Sequence, residues 1–91
     1  MNFTEVHKNK NYKVTEVFLE FGEKMPLHQA TSNAFVICRN GKSKLTFFDK
    51  TLVLSQGESI LIQANDPHEL EVLENFSASI IMEPDAKIDF L

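Results

Sequence analysis

Tryptophan is absent from this chain, and 91 residues include a single cysteine, three glycines and three prolines. The lone thiol, Cys38, has no partner for an internal disulfide, so the sequence predicts a reducing, cytoplasmic setting. Positive charge is also scarce. Nine basic residues stand against thirteen acidic ones, the net charge is −4, and no Lys/Arg cluster offers a footprint for nucleic acid. No apolar run approaches membrane-spanning length, and the opening MNFTEVHKNKNYK lacks the apolar core of a secretory leader, so no membrane partner is expected. Repeats, linkers and low-complexity stretches are missing too, which makes residues 1–91 one expected domain. No Ser/His/Asp set, phosphate-cradling glycine loop or cysteine pair is present to carry those chemistries.

What the chain does have is phenylalanine, eight of them, whose rings add core volume without a polar atom to satisfy. Its apolar residues recur with period two in short runs, which is the pattern of strands half-buried in a sheet. Tyr12 to Phe21 reads YKVTEVFLEF and sets Val17, Leu19 and Phe21 on one face. Ala34 to Arg39 is a nearly unbroken apolar run ended by Asn40-Gly41, a pair that favours a two-residue hairpin, with Lys44 to Phe48 as the return strand. Further strands follow at Thr51–Leu54, Ser59–Ile62, His68–Val72 and Phe76–Met82, with Glu74-Asn75 read as a turn between the last two. With Pro26-Leu27-His28 opening another, the total is about eight strands and no helix, so an all-β barrel or double-sheet jelly roll is predicted. Closure suits a short chain, because it removes sheet edges that a small core cannot otherwise protect.

Two stretches resemble the cupin family. In GEKMPLHQATSNAFVICRNG, Gly22 and Gly41 fall where that family's first motif has its glycines, and Pro26-Leu27-His28 matches the entry to its first histidine. In GESILIQANDPH, Gly57 and Pro67-His68 follow the second motif, with His68 eleven residues after Gly57 on the closing histidine. The resemblance implies a small cupin-type β-barrel, a double-stranded β-helix. It also implies a metal site of three histidines and a glutamate, and there the chain departs from the pattern. Ala30 stands at the second histidine position and Ala34 at the glutamate position, while Gln63, Asn65 and Val72 replace the usual loop proline, loop glycine and trailing asparagine.

Of four implied ligands only His28 and His68 remain. First-row divalent metals are usually held by three or four donors, so two neutral imidazoles predict weak divalent binding at most and no firm cofactor. Gln29 and Glu69 are neighbours of the two histidines along their strands and are expected to face the other way, while Cys38 lies too far along its strand to replace Ala34. His28 and His68 thus have three readings: metal ligands, polar contacts for an organic ligand, or structural side chains. His7, in a Lys- and Asn-rich leader, reads as a surface histidine, and Cys38 as a small buried hydrophobe. Alanines at 30 and 34 vacate apolar space beside His28, which favours a small-molecule site built from His28, Ala30, Ala34 and His68, non-catalytic or weakly catalytic. A second reading is a metal-dependent enzyme resembling cupin dioxygenases or isomerases, its two-His site completed by water or substrate. A third is a structural partner domain with its interior filled by Phe35, Phe47 and Phe48. Exposed strand edges and apolar ends at Phe3, Phe90 and Leu91 predict a homodimer joined through a terminal or edge strand.

Overall fold

The computed structural model describes every residue from Met1 to Leu91 and contains strands and turns but no helix, so no helix is long and apolar enough to cross a membrane. Eight strands form one curled antiparallel sheet: β1 (Asn2–Lys8), β2 (Lys13–Leu19), β3 (Lys24–Ala30), β4 (Ala34–Phe47), β5 (Thr51–Ser55), β6 (Ser59–Ile62), β7 (His68–Met82) and β8 (Ile88–Phe90). The all-β expectation holds, and the curled sheet is that of a β-barrel.

The long strands β4 and β7 pair along almost their whole length and organise the rest. The first part of β7 takes β3 as its other neighbour, and β8 lies beyond β3. The last part of β7 takes β2, and β1 lies beyond β2. β4 does the same in reverse, with residues 42–46 against β5 and residues 34–37 against β6. The sheet therefore has two halves, β5-β4-β7-β3-β8 and β6-β4-β7-β2-β1, and β4 and β7 pass from one to the other.

Two predicted turns fall on that passage, and the structure corrects both. Asn40-Gly41 does not reverse the chain as a hairpin, and Glu74-Asn75 does not separate two strands. Both are bulged bends within β4 and β7, where the register shifts at Cys38/Asn40, Asn40/Lys42 and Lys42/Ser43. The positive φ of +81° at Gly41 serves the bend, and its bare Cα lies against the backbone of Glu74 and Asn75, where a methyl group would collide. The glycine that suits a hairpin also suits a bulge, so the local signal is shared by both structures.

Alternation then sorts the side chains. Val17, Leu19, Val36, Cys38, Leu45, Phe47, Leu54, Ile62, Val72, Phe76 and Ala78 face inward and make the core between the two halves. Phe21, expected on the face of Val17 and Leu19, lies beyond the end of β2 and is exposed. β1 and β8 add two strands to those predicted, one in the Lys- and Asn-rich leader and one at the apolar end near Phe90.

Candidate functional site

The sequence-predicted residues converge. β3 carries His28 and Ala30, β4 begins at Ala34, and β7 begins at His68, and all four line one cavity of about 60 Å³ between the two halves of the sheet. That is several times the space one water needs, and small beside the pockets that enclose drug-sized ligands. Fifteen of the seventeen lining residues are hydrophobic, and the other two are His28 and His68.

The two histidines are cross-strand partners in the β3–β7 ladder, so alternation sends both rings to the same side. Their ring centroids are 4.2 Å apart at 61° between planes, and the residues are only 5% and 6% exposed. The same register row continues into β8 at Phe90 and into β4 at Phe47. Four rings therefore run across four strands in the order Phe90, His28, His68, Phe47, with centroid separations of 5.6, 4.2 and 5.3 Å. Neither phenylalanine was identified as part of the site from sequence, since Phe90 sits in a segment with too few residues to show a period.

Each imidazole folds back onto the carbonyl two residues before it. His28 Nδ1 is 2.7 Å from the oxygen of Pro26, and His68 Nδ1 is 2.8 Å from the oxygen of Asp66. The prolines contribute: β3 shifts register between Met25 and His28, and Pro67 ends the loop at the start of β7, where neither proline has an N–H for the ladder. Neither Nε2 has a hydrogen bond within the chain. Among enclosed side-chain nitrogen and oxygen atoms only Ser43 Oγ lacks a partner, so the two Nε2 atoms are not sealed off, and both imidazoles line the cavity. Burial holds the pKa of His28 below the ordinary imidazole value; the neighbouring His68 adds to this, and the Pro26 carbonyl partly opposes it.

The donor set is correspondingly sparse. No three His, Cys, Asp or Glu side chains cluster so as to hold a metal ion. Gln29 bonds Asn65 through its side chain, Glu69 is exposed, and neither lines the cavity. Cys38 is buried, donates to the carbonyl of Asn40, and has a thiol pKa raised by burial. His7 is a surface residue in β1, packed against Tyr12. Of the three phenylalanines expected to fill a structural interior, only Phe47 is inside. Phe35 and Phe48 are 39% and 79% exposed, because both fall on the outward alternation or beyond the strand end.

A family model described as Cupin domain matches residues 15–82, a span that includes His28, Ala30, Ala34 and His68. No curated protein matches the chain. Among solved structures, a cupin 2 conserved barrel domain protein from Leptotrichia buccalis is 28% identical, with 90% of this chain and 40% of that one covered at a TM-score of 0.80. A cupin family protein with a double-stranded β-helix fold from Methanocaldococcus jannaschii is 17% identical, covering 91% of this chain and 79% of that one at 0.80. A DMSP lyase from Ruegeria pomeroyi is 15% identical, covering 90% and 44% at 0.81. At 17% and 15% identity the likeness is one of fold.

Proposed function

This chain belongs to the cupin family, and from that premise we propose that it is a small-molecule-binding barrel, non-catalytic or weakly catalytic, whose metal site is degenerate. The observation that carries this reading is the cavity itself: apolar on every side except for two imidazoles, each with an unbonded Nε2. Apolar walls with a few placed polar groups are the common design of a small-molecule site. Cupins often bind metals, but the residues present here do not fit a resident divalent ion. Two neutral nitrogens bring no negative charge, and Ala30 and Ala34 offer methyl groups where an imidazole and a carboxylate would complete the set. The lone cysteine, with no partner for a disulfide, supports a cytoplasmic setting.

One observation favours a second reading, a metal-dependent cupin enzyme of dioxygenase or isomerase type with an incomplete two-His site. Metal-binding histidines commonly donate their second nitrogen's proton to a carbonyl, as His28 and His68 do. The lyase from Ruegeria pomeroyi is an enzyme on this architecture. Purified protein separates the two readings when its metal content and its solvent-extracted organic compounds are measured together. The binding reading predicts metal well below one ion per chain and a small organic compound released on denaturation. One tightly held ion per chain would put the enzyme first.

A further inference from the structure

We infer that the cavity selects molecules that donate hydrogen bonds, namely small, mostly apolar compounds carrying a hydroxyl or N–H group, over ketones and ethers of the same size. This rests on the binding reading above and names its ligand class. A carbonyl accepts and never donates, so at 2.7 and 2.8 Å from the oxygens of Pro26 and Asp66, each Nδ1 must be the nitrogen that carries the proton. A neutral imidazole has one N–H. Once Nδ1 holds it, Nε2 keeps a lone pair and accepts. Burial favours the neutral ring at His28.

The surroundings make this assignment durable. Turning either ring over would break its bond to the carbonyl, and the row from Phe90 to Phe47 hems both imidazoles in, edge-to-face between the two histidines and tilted against each phenylalanine. The remaining lining side chains are hydrocarbon apart from the thioethers of Met25 and Met82, and none of them donates a hydrogen bond. The lined space therefore presents two side-chain acceptors and no side-chain donor. A hydroxyl or N–H meets Nε2 while its alkyl part meets the walls. An acceptor-only ligand leaves its own oxygen unpaired among hydrocarbon and both Nε2 atoms unpaired as well, and such mismatches are what polar-site discrimination depends on. The volume of about 60 Å³ restricts the enclosed part to a few heavy atoms.

Propan-2-ol and acetone have the same number of heavy atoms and differ in that only the alcohol donates. Each is titrated into protein labelled at alanine methyls and histidine ring nitrogens and followed by NMR near pH 7.5. Before addition, both His28 and His68 should show protonated Nδ1 and unprotonated Nε2. Propan-2-ol should move the Ala30 and Ala34 methyl signals and the Nε2 signals, with an affinity at least about tenfold above that of acetone, equivalent to about 1.4 kcal/mol. The variant His28→Leu/His68→Leu keeps an apolar wall and should reduce the preference to within about twofold. Equal or tighter binding of acetone, or a protonated Nε2 on both rings, overturns the donor preference while leaving small-molecule binding standing. If neither compound moves the alanine methyls, the cavity takes no small molecule, and the binding reading falls together with this one.

Discussion

His28 is held between opposing influences. Burial lowers its pKa most, the Pro26 carbonyl raises it by accepting the Nδ1 proton, and the charge on a protonated His68 lowers it again. The folded protein therefore takes up a proton at His28 less readily than the unfolded chain does. Stability from this residue is complete above the ordinary imidazole value of about 6.5 and is lost as pH falls through the lower folded value. The urea midpoint should fall between pH 7.5 and pH 5, and His28→Gln should flatten that slope; an unchanged slope in the variant would assign it elsewhere. At this scale motif spacing singled out His28, His68, Ala30 and Ala34, and the structure brings all four to one cavity because the spacing fixes where each falls on its strand. The carbonyl partners and the flanking rings of Phe47 and Phe90 were not legible. They depend on which strand lies beside which, and nothing local to Phe90 reveals that β8 pairs with β3.

Among the elements, β4 and β7 show how a correct strand count can hide a wrong partition. Reading Asn40-Gly41 and Glu74-Asn75 as turns splits two long strands into four, while β1 and β8 go unread, and the total of eight survives. Every residue of β1 is exposed, so no half-buried alternation marks it. Gly41 and Gly57 separate the demands of backbone and packing. Both have positive φ, +81° and +85°, but only Gly41 faces backbone where a Cβ would sit, and Gly57 faces open space. Gly57→Ala should cost about 1–2 kcal/mol for the left-handed conformation alone. Gly41→Ala should cost about 3 kcal/mol or more, because β4 and β7 must also separate at their bends. Equal losses in chemical denaturation would show that the bends are not packed as described.

For the molecule as a whole, the two halves of the sheet present different outer surfaces. Lys24–Glu71 and Lys42–Glu74 ion pairs lie on one, and the other carries the Arg39–Glu16 pair, bonded to Ser79, beside an apolar row. Along that row the register aligns Leu61, Phe35, Ile81 and Val14 across β6, β4, β7 and β2, ending at β1. β1 is the longest strand with one unpaired edge, seven residues bonded only to β2. We propose that a second copy pairs with this edge and covers the adjoining apolar row, forming a homodimer with two-fold symmetry. Light scattering at micromolar concentration should return about twice the chain mass of 10.4 kDa, and Thr4→Pro, which puts a strand-breaking ring inside β1, should return a monomer. A monomeric natural protein would contradict the proposal.

The proposal that this cupin barrel binds an organic ligand in place of a metal ion rests on the residues at positions 30 and 34. Ala30→His with Ala34→Glu tests it most directly, because both alanines already line the cavity with His28 and His68. The measurement is the melting temperature with and without zinc, taken on the natural protein and on the double variant. With zinc at a hundred times Kd, binding to the folded state alone contributes about 2.7 kcal/mol, a rise of more than about 10 °C in a domain this small. The account predicts that rise in the variant, little change in the natural protein, and a metal-free variant less stable than its parent, since a carboxylate and an imidazole would be buried unpaired. A comparable zinc-dependent rise in the natural protein would contradict the account, because two imidazoles would then suffice for a working metal centre.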